Sequence, residues 1–229
     1  MTQVLCCIFD MDGLLLDTER IYTEATQVFL DRHAPGTTFT WELKSKLMGR
    51  GTQESARIFM DSTGIQMPID DFMNENMVIQ TELFATTKVL PGVERLIRHL
   101  HEHNIPMAVA TSSPRSKIIG LFDSITCGDD AGVEKGKPAP DIFLEAHRKL
   151  GHHSPEHCLV FEDALSGIEA ARNAKMRAIW IPDPNLLALP REEEFVEPTE
   201  TLTSMEDFDP SKYGLPPWGC SCAGRALET

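Results

Sequence analysis

Three short apolar runs in this chain are each followed by side chains that carry oxygen. The runs and their following residues are 4–9 with Asp10 and Asp12, 107–110 with Thr111 and Ser112, and 158–161 with Glu162 and Asp163. Such runs are typical of strands buried on both faces, and parallel sheets contain them because helices cover both sides. The carboxyl ends of neighbouring parallel strands lie at one edge of the sheet. We therefore expect these carboxylates and hydroxyls to meet in one cleft.

The segments between the strands have helical periodicity. Helices are predicted over 91–103 and 141–150, and Ser166 is a candidate N-cap for a further helix over 167–174. A last strand is predicted over 177–181. Strands that alternate with helices predict an α/β fold, here a doubly wound, Rossmann-like parallel sheet.

One long segment interrupts this alternation. Between the first strand and the helix at 91–103, helical patterns occur at 18–32, 41–47, 52–62 and 70–85. We interpret residues 18–86 as an inserted α-helical cap domain, and residues 1–17 plus 87–216 as the α/β core domain. Residues 217–229 lack periodicity, so a disordered tail is predicted there.

Composition narrows the class of protein. The chain has 229 residues with a formal net charge of -14, which argues against binding to nucleic acid or to an anionic membrane. No apolar stretch approaches the ~18 residues of a membrane span, and the short apolar run at the N-terminus does not resemble a signal peptide. Cysteines 6, 7, 127 and 158 fall in or beside predicted strands and are expected to be reduced. We expect a cytoplasmic enzyme, and a monomer by default.

The predicted cleft favours a hard metal and a phosphate. Clustered carboxylates suit Mg²⁺ rather than a soft metal. Thr111 and Ser112 offer hydroxyl and backbone donors to phosphate oxygens. Lys137 follows Gly136, a residue that allows close approach of the backbone, and it supplies a cation for the same site.

Four segments together resemble the haloacid dehalogenase superfamily, in the order and type of its four motifs. They are 10–13 (Asp-Met-Asp-Gly), 111–112 (Thr-Ser), 136–141 (Gly-Lys-Pro-Ala-Pro-Asp) and 161–167 (Phe-Glu-Asp-Ala-Leu-Ser-Gly). A helical insertion after the first motif matches the subgroup with a small α-helical cap. The resemblance covers roughly residues 4–216 and implies an Mg²⁺-dependent phosphatase.

The resemblance also implies a role for each matching residue. Asp10 would attack phosphorus to give an aspartyl-phosphate, and Asp12 would act as general acid and then as general base. Thr111 and Ser112 would bind the phosphoryl oxygens, and Lys137 would offset negative charge. Asp10, the backbone carbonyl of Asp12 and Asp163 would hold Mg²⁺, with Glu162 as a further ligand through water.

The substrate is less constrained than the reaction. Within the subgroup, three stretches look most like pseudouridine-5'-phosphatases: 10–20, the loop at 47–49 and the ending at 214–216. The first of them also resembles sugar-phosphate phosphatases and β-phosphoglucomutases. Arg50, flanked by two glycines in the insertion, is the first candidate for substrate discrimination, and Lys44 is the second. A phosphomutase and a catalytically weak binding or interaction protein remain as alternatives.

One connection departs from the family. Only residues 114–123 separate the second strand end from the next apolar triplet, 125–127. A parallel crossover with its helix usually needs at least ~10 to 12 residues. The segment predicts either a very short helix or a partly uncovered sheet, with lower stability.

Overall fold

A computed structural model of the chain describes residues 3–47, 52–84, 86–112, 122–151, 154–188 and 196–219. Its centre is a six-stranded sheet in the order β3-β2-β1-β4-β5-β6, with every adjacent pair parallel. The strands are β1 (Cys6–Phe9), β2 (Met107–Thr111), β3 (Ser124–Cys127), β4 (Cys158–Glu162), β5 (Arg177–Trp180) and β6 (Glu200–Thr201). The doubly wound parallel sheet predicted from the sequence is confirmed.

Eight α-helices accompany the strands in the described residues. They are α1 (Thr18–His33), α2 (Trp41–Leu47), α3 (Thr52–Thr63), α4 (Ile69–Phe84), α5 (Val93–Glu102), α6 (Asp141–Leu150), α7 (Leu165–Asn173) and α8 (Pro184–Leu187). Short 3₁₀ helices span Pro155–His157, Met205–Asp207 and Pro210–Tyr213. Among the described residues, no helix is long and apolar enough to cross a membrane.

The central strands are apolar throughout because both sheet faces are covered. Along β1, Cys7 and Phe9 face one hydrophobic cluster, which includes Leu96 of α5. Cys6 and Ile8 face the other, which includes residues of α6 and α7. Alternate residues therefore enter opposite cores, as the two-residue period of a strand requires.

Helices α1 to α4 have a hydrophobic cluster of their own. Phe29 of α1, Phe59 of α3 and Phe72 of α4 pack together, and the Phe29 and Phe59 ring centroids each lie 4.9 Å from that of Phe72. Two neighbouring segments join these helices to the sheet: the Asp17 amide donates to Lys88 O at 2.9 Å. The two segments that connect the helical insertion to the core thus lie side by side.

Several local predictions need correction. Helix α7 begins at Leu165 with Ala164 at its N-cap, so Ser166 lies inside the first turn and does not cap the helix. The sequence also gave no sign of β6, whose two residues have little pattern to detect.

The predicted disordered tail begins too early. Trp218 donates from Nε1 to Phe208 O at 3.0 Å, and Arg95 lies over its ring at 4.2 Å. Trp218 therefore packs against the core, and the prediction of disorder is wrong for this residue. Residues 220–229, and 113–121 within the short connection after β2, lie outside the described residues.

Candidate active site

Asp10, Lys137 and Glu162 form a buried cluster at the carboxyl edge of the sheet. Asp10 follows β1, and Glu162 is the last residue of the neighbouring strand β4. Lys137 Nζ donates to Asp10 Oδ1 and to Glu162 Oε1, both at 2.5 Å, and its side chain is only 5% exposed. Lys137 therefore pairs with carboxylates at the ends of two neighbouring strands. Buried carboxylates need such a partner, because an unpaired buried charge is strongly destabilising.

Asp163 completes the acidic cluster. Oxygen atoms of Asp10, Glu162 and Asp163 all lie within 4.8 Å of one another. Trp180 of β5 donates from Nε1 to Asp163 O at 2.8 Å and thereby fixes the backbone there. Three hard oxygen donors at this spacing fit Mg²⁺ by their chemistry. The role of Trp180 had no signature in the sequence, because it depends on strand register.

The cluster carries more negative than positive charge. Burial raises the pKa of Asp10 to about 7, against the opposing effect of Lys137. Burial, with the adjacent Glu162 and Asp10, holds the pKa of Asp163 well above its usual range. Burial alone would lower the pKa of Lys137, but Asp10 and Glu162 outweigh it and raise that pKa. One lysine cannot neutralise three carboxylates, so the cluster favours a further cation.

Asp12 lies beside this cluster and is held from two sides. Thr111 Oγ1, at the end of β2, donates to Asp12 Oδ2 at 3.2 Å. Tyr22 of α1 donates from its hydroxyl to Asp12 Oδ1 at 3.3 Å. The structure thus brings Thr111 to Asp12, as expected of residues at neighbouring strand ends. Tyr22 was missed, although it lies in α1 just after the stretch 10–20 that carries part of the resemblance.

Two glycines make room for the carboxylates. A Cβ at Gly13, whose φ is +84°, would lie 2.4 Å from Asp163 Oδ2. A Cβ at Gly167 would lie 2.0 Å from Glu162 Cδ. By contrast, a Cβ at Gly136 would have nothing within 4 Å. No described protein atom approaches Gly136 closely, so the expectation that it allows close backbone approach stays a prediction.

The other candidate residues have different surroundings. Ser112 is exposed beyond the end of β2. Lys44 is 5% exposed, and its Nζ lies 2.8 Å from Glu19 Oε2 and donates to Thr23 Oγ1 at 2.7 Å. Lys44 is therefore tied to α1 instead of being a solvated cation at a helix end. Arg50 lies outside the described residues.

Comparison with known proteins gives the family. A model of the haloacid dehalogenase-like hydrolases matches residues 7–181. An Arabidopsis thaliana protein named (DL)-glycerol-3-phosphatase 2 is 41% identical over 92% of this chain and 91% of its own length. A Drosophila melanogaster protein named "Probable pseudouridine-5'-phosphatase" is 38% identical over 94% of this chain and 96% of its own length.

A solved structure agrees with these relatives. The crystal structure of CbbY from Rhodobacter sphaeroides in complex with phosphate has a TM-score of 0.72 and is 27% identical, over 89% of this chain and 96% of that chain. The chain belongs to the haloacid dehalogenase-like hydrolase family. It is an enzyme, a phosphatase of small phosphorylated metabolites, and the family resemblance seen in its four motifs is confirmed.

Proposed function

We propose that this phosphatase is Mg²⁺-dependent and acts through an aspartyl-phosphate on Asp10. The observation that carries the proposal is the position of Lys137, whose Nζ lies 2.5 Å from both Asp10 and Glu162. Asp12, Thr111 and Asp163 lie at the same edge of the sheet. A nucleophile, an acid, a hydroxyl donor, a cation and metal-ligand oxygens are the groups that phosphoryl transfer needs.

Asp10 would begin the reaction as the nucleophile. As its carboxylate oxygen forms a bond to phosphorus, the bond to the leaving oxygen breaks, and Asp12 donates a proton to that oxygen. In the second step Asp12 takes a proton from water, which attacks phosphorus and releases inorganic phosphate and free Asp10. Lys137 would stabilise negative charge on Asp10 and the transferring group, and Thr111 and Ser112 would donate to phosphoryl oxygens.

Asp10, the backbone carbonyl of Asp12 and Asp163 are the proposed ligands of Mg²⁺, with Glu162 contributing through water. The support is the set of oxygens within 4.8 Å in Asp10, Glu162 and Asp163, together with their excess negative charge. When bound, Mg²⁺ would neutralise phosphate charge beside the carboxylates.

Pseudouridine 5'-phosphate or a related nucleotide or sugar phosphate is the proposed substrate. The 38% identical relative, named for pseudouridine 5'-phosphate, supports this choice. Glycerol 3-phosphate is the second candidate, because a relative named for it is 41% identical. Both esters have an alkoxide leaving group, so both require a general acid.

Helices α1 to α4 would act as the cap over the site, with residues 18–86 as the cap domain. The separate aromatic cluster of these helices and their paired connections to the core support this division. A cap excludes water and contacts the part of the substrate that does not react. We keep Arg50 as the first candidate for substrate discrimination, and we expect the enzyme to be a cytoplasmic monomer that binds neither nucleic acid nor membrane.

Phosphate release from a panel of phosphomonoesters, with Mg²⁺ and with EDTA, tests this proposal. The panel contains pseudouridine 5'-phosphate, UMP, hexose phosphates and glycerol 3-phosphate. We expect Mg²⁺-dependent release, with the highest kcat/KM for pseudouridine 5'-phosphate. A preference for glycerol 3-phosphate would overturn the proposed substrate but not the proposed reaction. Isomer formation without phosphate release would instead show a phosphomutase.

A further inference from the structure

Tyr22 connects the helical insertion to the chemistry at the sheet edge. It lies in the second turn of α1 and is half-buried. Its ring packs edge-on against Phe84, at the end of α4, with the centroids 5.8 Å apart and the planes at 86°. Its hydroxyl lies 3.3 Å from Asp12 Oδ1. The packing of the ring thus aims the hydroxyl at the carboxyl group that would handle the proton.

The two oxygens of Asp12 are held by different parts of the molecule. Oδ1 accepts from Tyr22 of the insertion, and Oδ2 accepts from Thr111 of the sheet. A carboxyl group transfers a proton efficiently only when the correct oxygen is directed at the leaving group. Two donors on opposite oxygens fix the plane of this carboxyl group. In the proposed function Thr111 would also donate to phosphoryl oxygens, and the contact with Tyr22 would then still hold Asp12.

We propose that Tyr22 is a positioning residue for Asp12, so that proton donation to the leaving oxygen depends on the insertion being in place over the site. This inference rests on the proposed function, in which Asp12 protonates that oxygen as its bond to phosphorus breaks. The Tyr22 hydroxyl keeps its own proton throughout. Because Tyr22 belongs to the insertion and Asp12 to the core, the hydrogen bond exists only when the two are together. The proton would then be delivered in the arrangement that also excludes water.

Tyr22→Phe is the informative variant, because it removes the hydroxyl and keeps the ring that packs on Phe84. The measurement is kcat/KM with Mg²⁺ for aryl and alkyl phosphates that differ in the pKa of the leaving alcohol. This parameter reports the steps up to departure of the leaving group, so the later role of Asp12 with water does not enter. Nitrophenolate leaves without a proton, whereas the alkoxide of glycerol 3-phosphate does not.

We expect Tyr22→Phe to lower kcat/KM about tenfold for glycerol 3-phosphate and less than about twofold for p-nitrophenyl phosphate, since one hydrogen bond is lost. Asp12→Asn shows how strongly kcat/KM depends on the leaving group when the general acid is lost. Adding Tyr22→Phe to Asp12→Asn should change kcat/KM little further. Tyr213→Phe is the matched control. It removes a hydroxyl that donates to Glu200 at 2.7 Å, away from the site, and should leave the dependence unchanged.

An equal loss on both kinds of ester, or no loss on either, would overturn the role of Tyr22. The wild-type enzyme tests the proposed function separately in the same assay. If it released no phosphate from any ester with Mg²⁺, the proposed function would fail and this inference with it. If the wild type is active, and kcat/KM of Tyr22→Phe depends on the leaving group as it does in the wild type, only this inference fails.

Discussion

At the scale of single residues, Gly167 determines where Glu162 can lie. A Cβ at this position would lie 2.0 Å from both Cδ and Oε1 of Glu162. Glu162 in turn accepts from Lys137 at 2.5 Å and from the Ala164 amide at 3.2 Å. Because Gly167 has no side chain, Glu162 has room to lie where it accepts a hydrogen bond from Lys137.

Gly167→Ala should displace Glu162, and with it Lys137. We expect kcat to fall at least about tenfold and the free energy of unfolding to fall by about 1–3 kcal/mol, as for other overpacked cores. Phosphate release and urea unfolding measure the two effects. Gly136→Ala is the matched control, because a Cβ there would have nothing within 4 Å. Wild-type turnover in Gly167→Ala would show that Glu162 does not need this space.

Asp10 makes the metal-free protein less stable as pH rises. Its usual pKa is 3.8, and burial raises its pKa in the folded protein to about 7. The folded state therefore binds this proton more tightly than the unfolded state does. Its contribution to the free energy of unfolding falls as pH rises between these two values.

Asp10→Asn removes this titration. In EDTA, we expect the variant to gain stability relative to the wild type as pH is raised from 5 to 7, measured by urea unfolding. Asp129→Asn is the control, because Asp129 is exposed. A stability difference between Asp10→Asn and the wild type that does not change with pH would contradict the raised pKa.

At the scale of elements, α1 and α2 are joined by a buried ion pair. The side chains of Lys44 and Glu19 are 6% and 19% exposed, and Lys44 also lies over the Trp41 ring at 4.3 Å. Helix α1 carries both Glu19 and Tyr22, so this pair supports the helix that contacts Asp12. An ion pair between α1 and α2 thus contributes to the geometry of the site.

Lys44→Ala should lower the free energy of unfolding by about 2–3 kcal/mol, because it leaves Glu19 without its counter-charge. Arg98→Ala breaks the pair with Glu94 on α5, whose side chains are 61% and 70% exposed. That control should cost less than about 1 kcal/mol. Equal losses in the two variants would contradict the difference in burial.

Periodicity predicted most helices and strands well, because apolar runs and helical faces are local patterns. The bounds of α6 were predicted without error. The sequence did not predict β6, which has two residues, or the N-cap of α7, where Ala164 offers no side-chain acceptor.

Part of the site could be predicted, because strand ends can be recognised in the sequence. Asp10, Asp12 and Asp163 follow strands and Thr111 ends one, so their approach results from the parallel sheet. Tyr22, Trp180 and Gly167 depend instead on how helices and strands pack in three dimensions. A single sequence contains no local signal for such contacts.

At the scale of the whole molecule, the site lies between two hydrophobic units. The sheet core holds Asp10 and Asp163, and the helical insertion supplies Tyr22 to Asp12. The chain has a formal net charge of -14, so the protein as a whole has no excess of basic side chains to balance the acidic cluster. Lys137 and a bound divalent cation would therefore offset the charge of the phosphate locally.

The most direct test of this account is the rate of Mg²⁺-dependent phosphate release by wild type and Asp10→Asn, on the best ester of the panel. We expect the variant to be slower by about 10³-fold or more, because the nucleophile is lost. Asp129→Asn, an exposed carboxyl beyond β3, should keep wild-type turnover. Wild-type turnover in Asp10→Asn would show that phosphoryl transfer does not pass through Asp10.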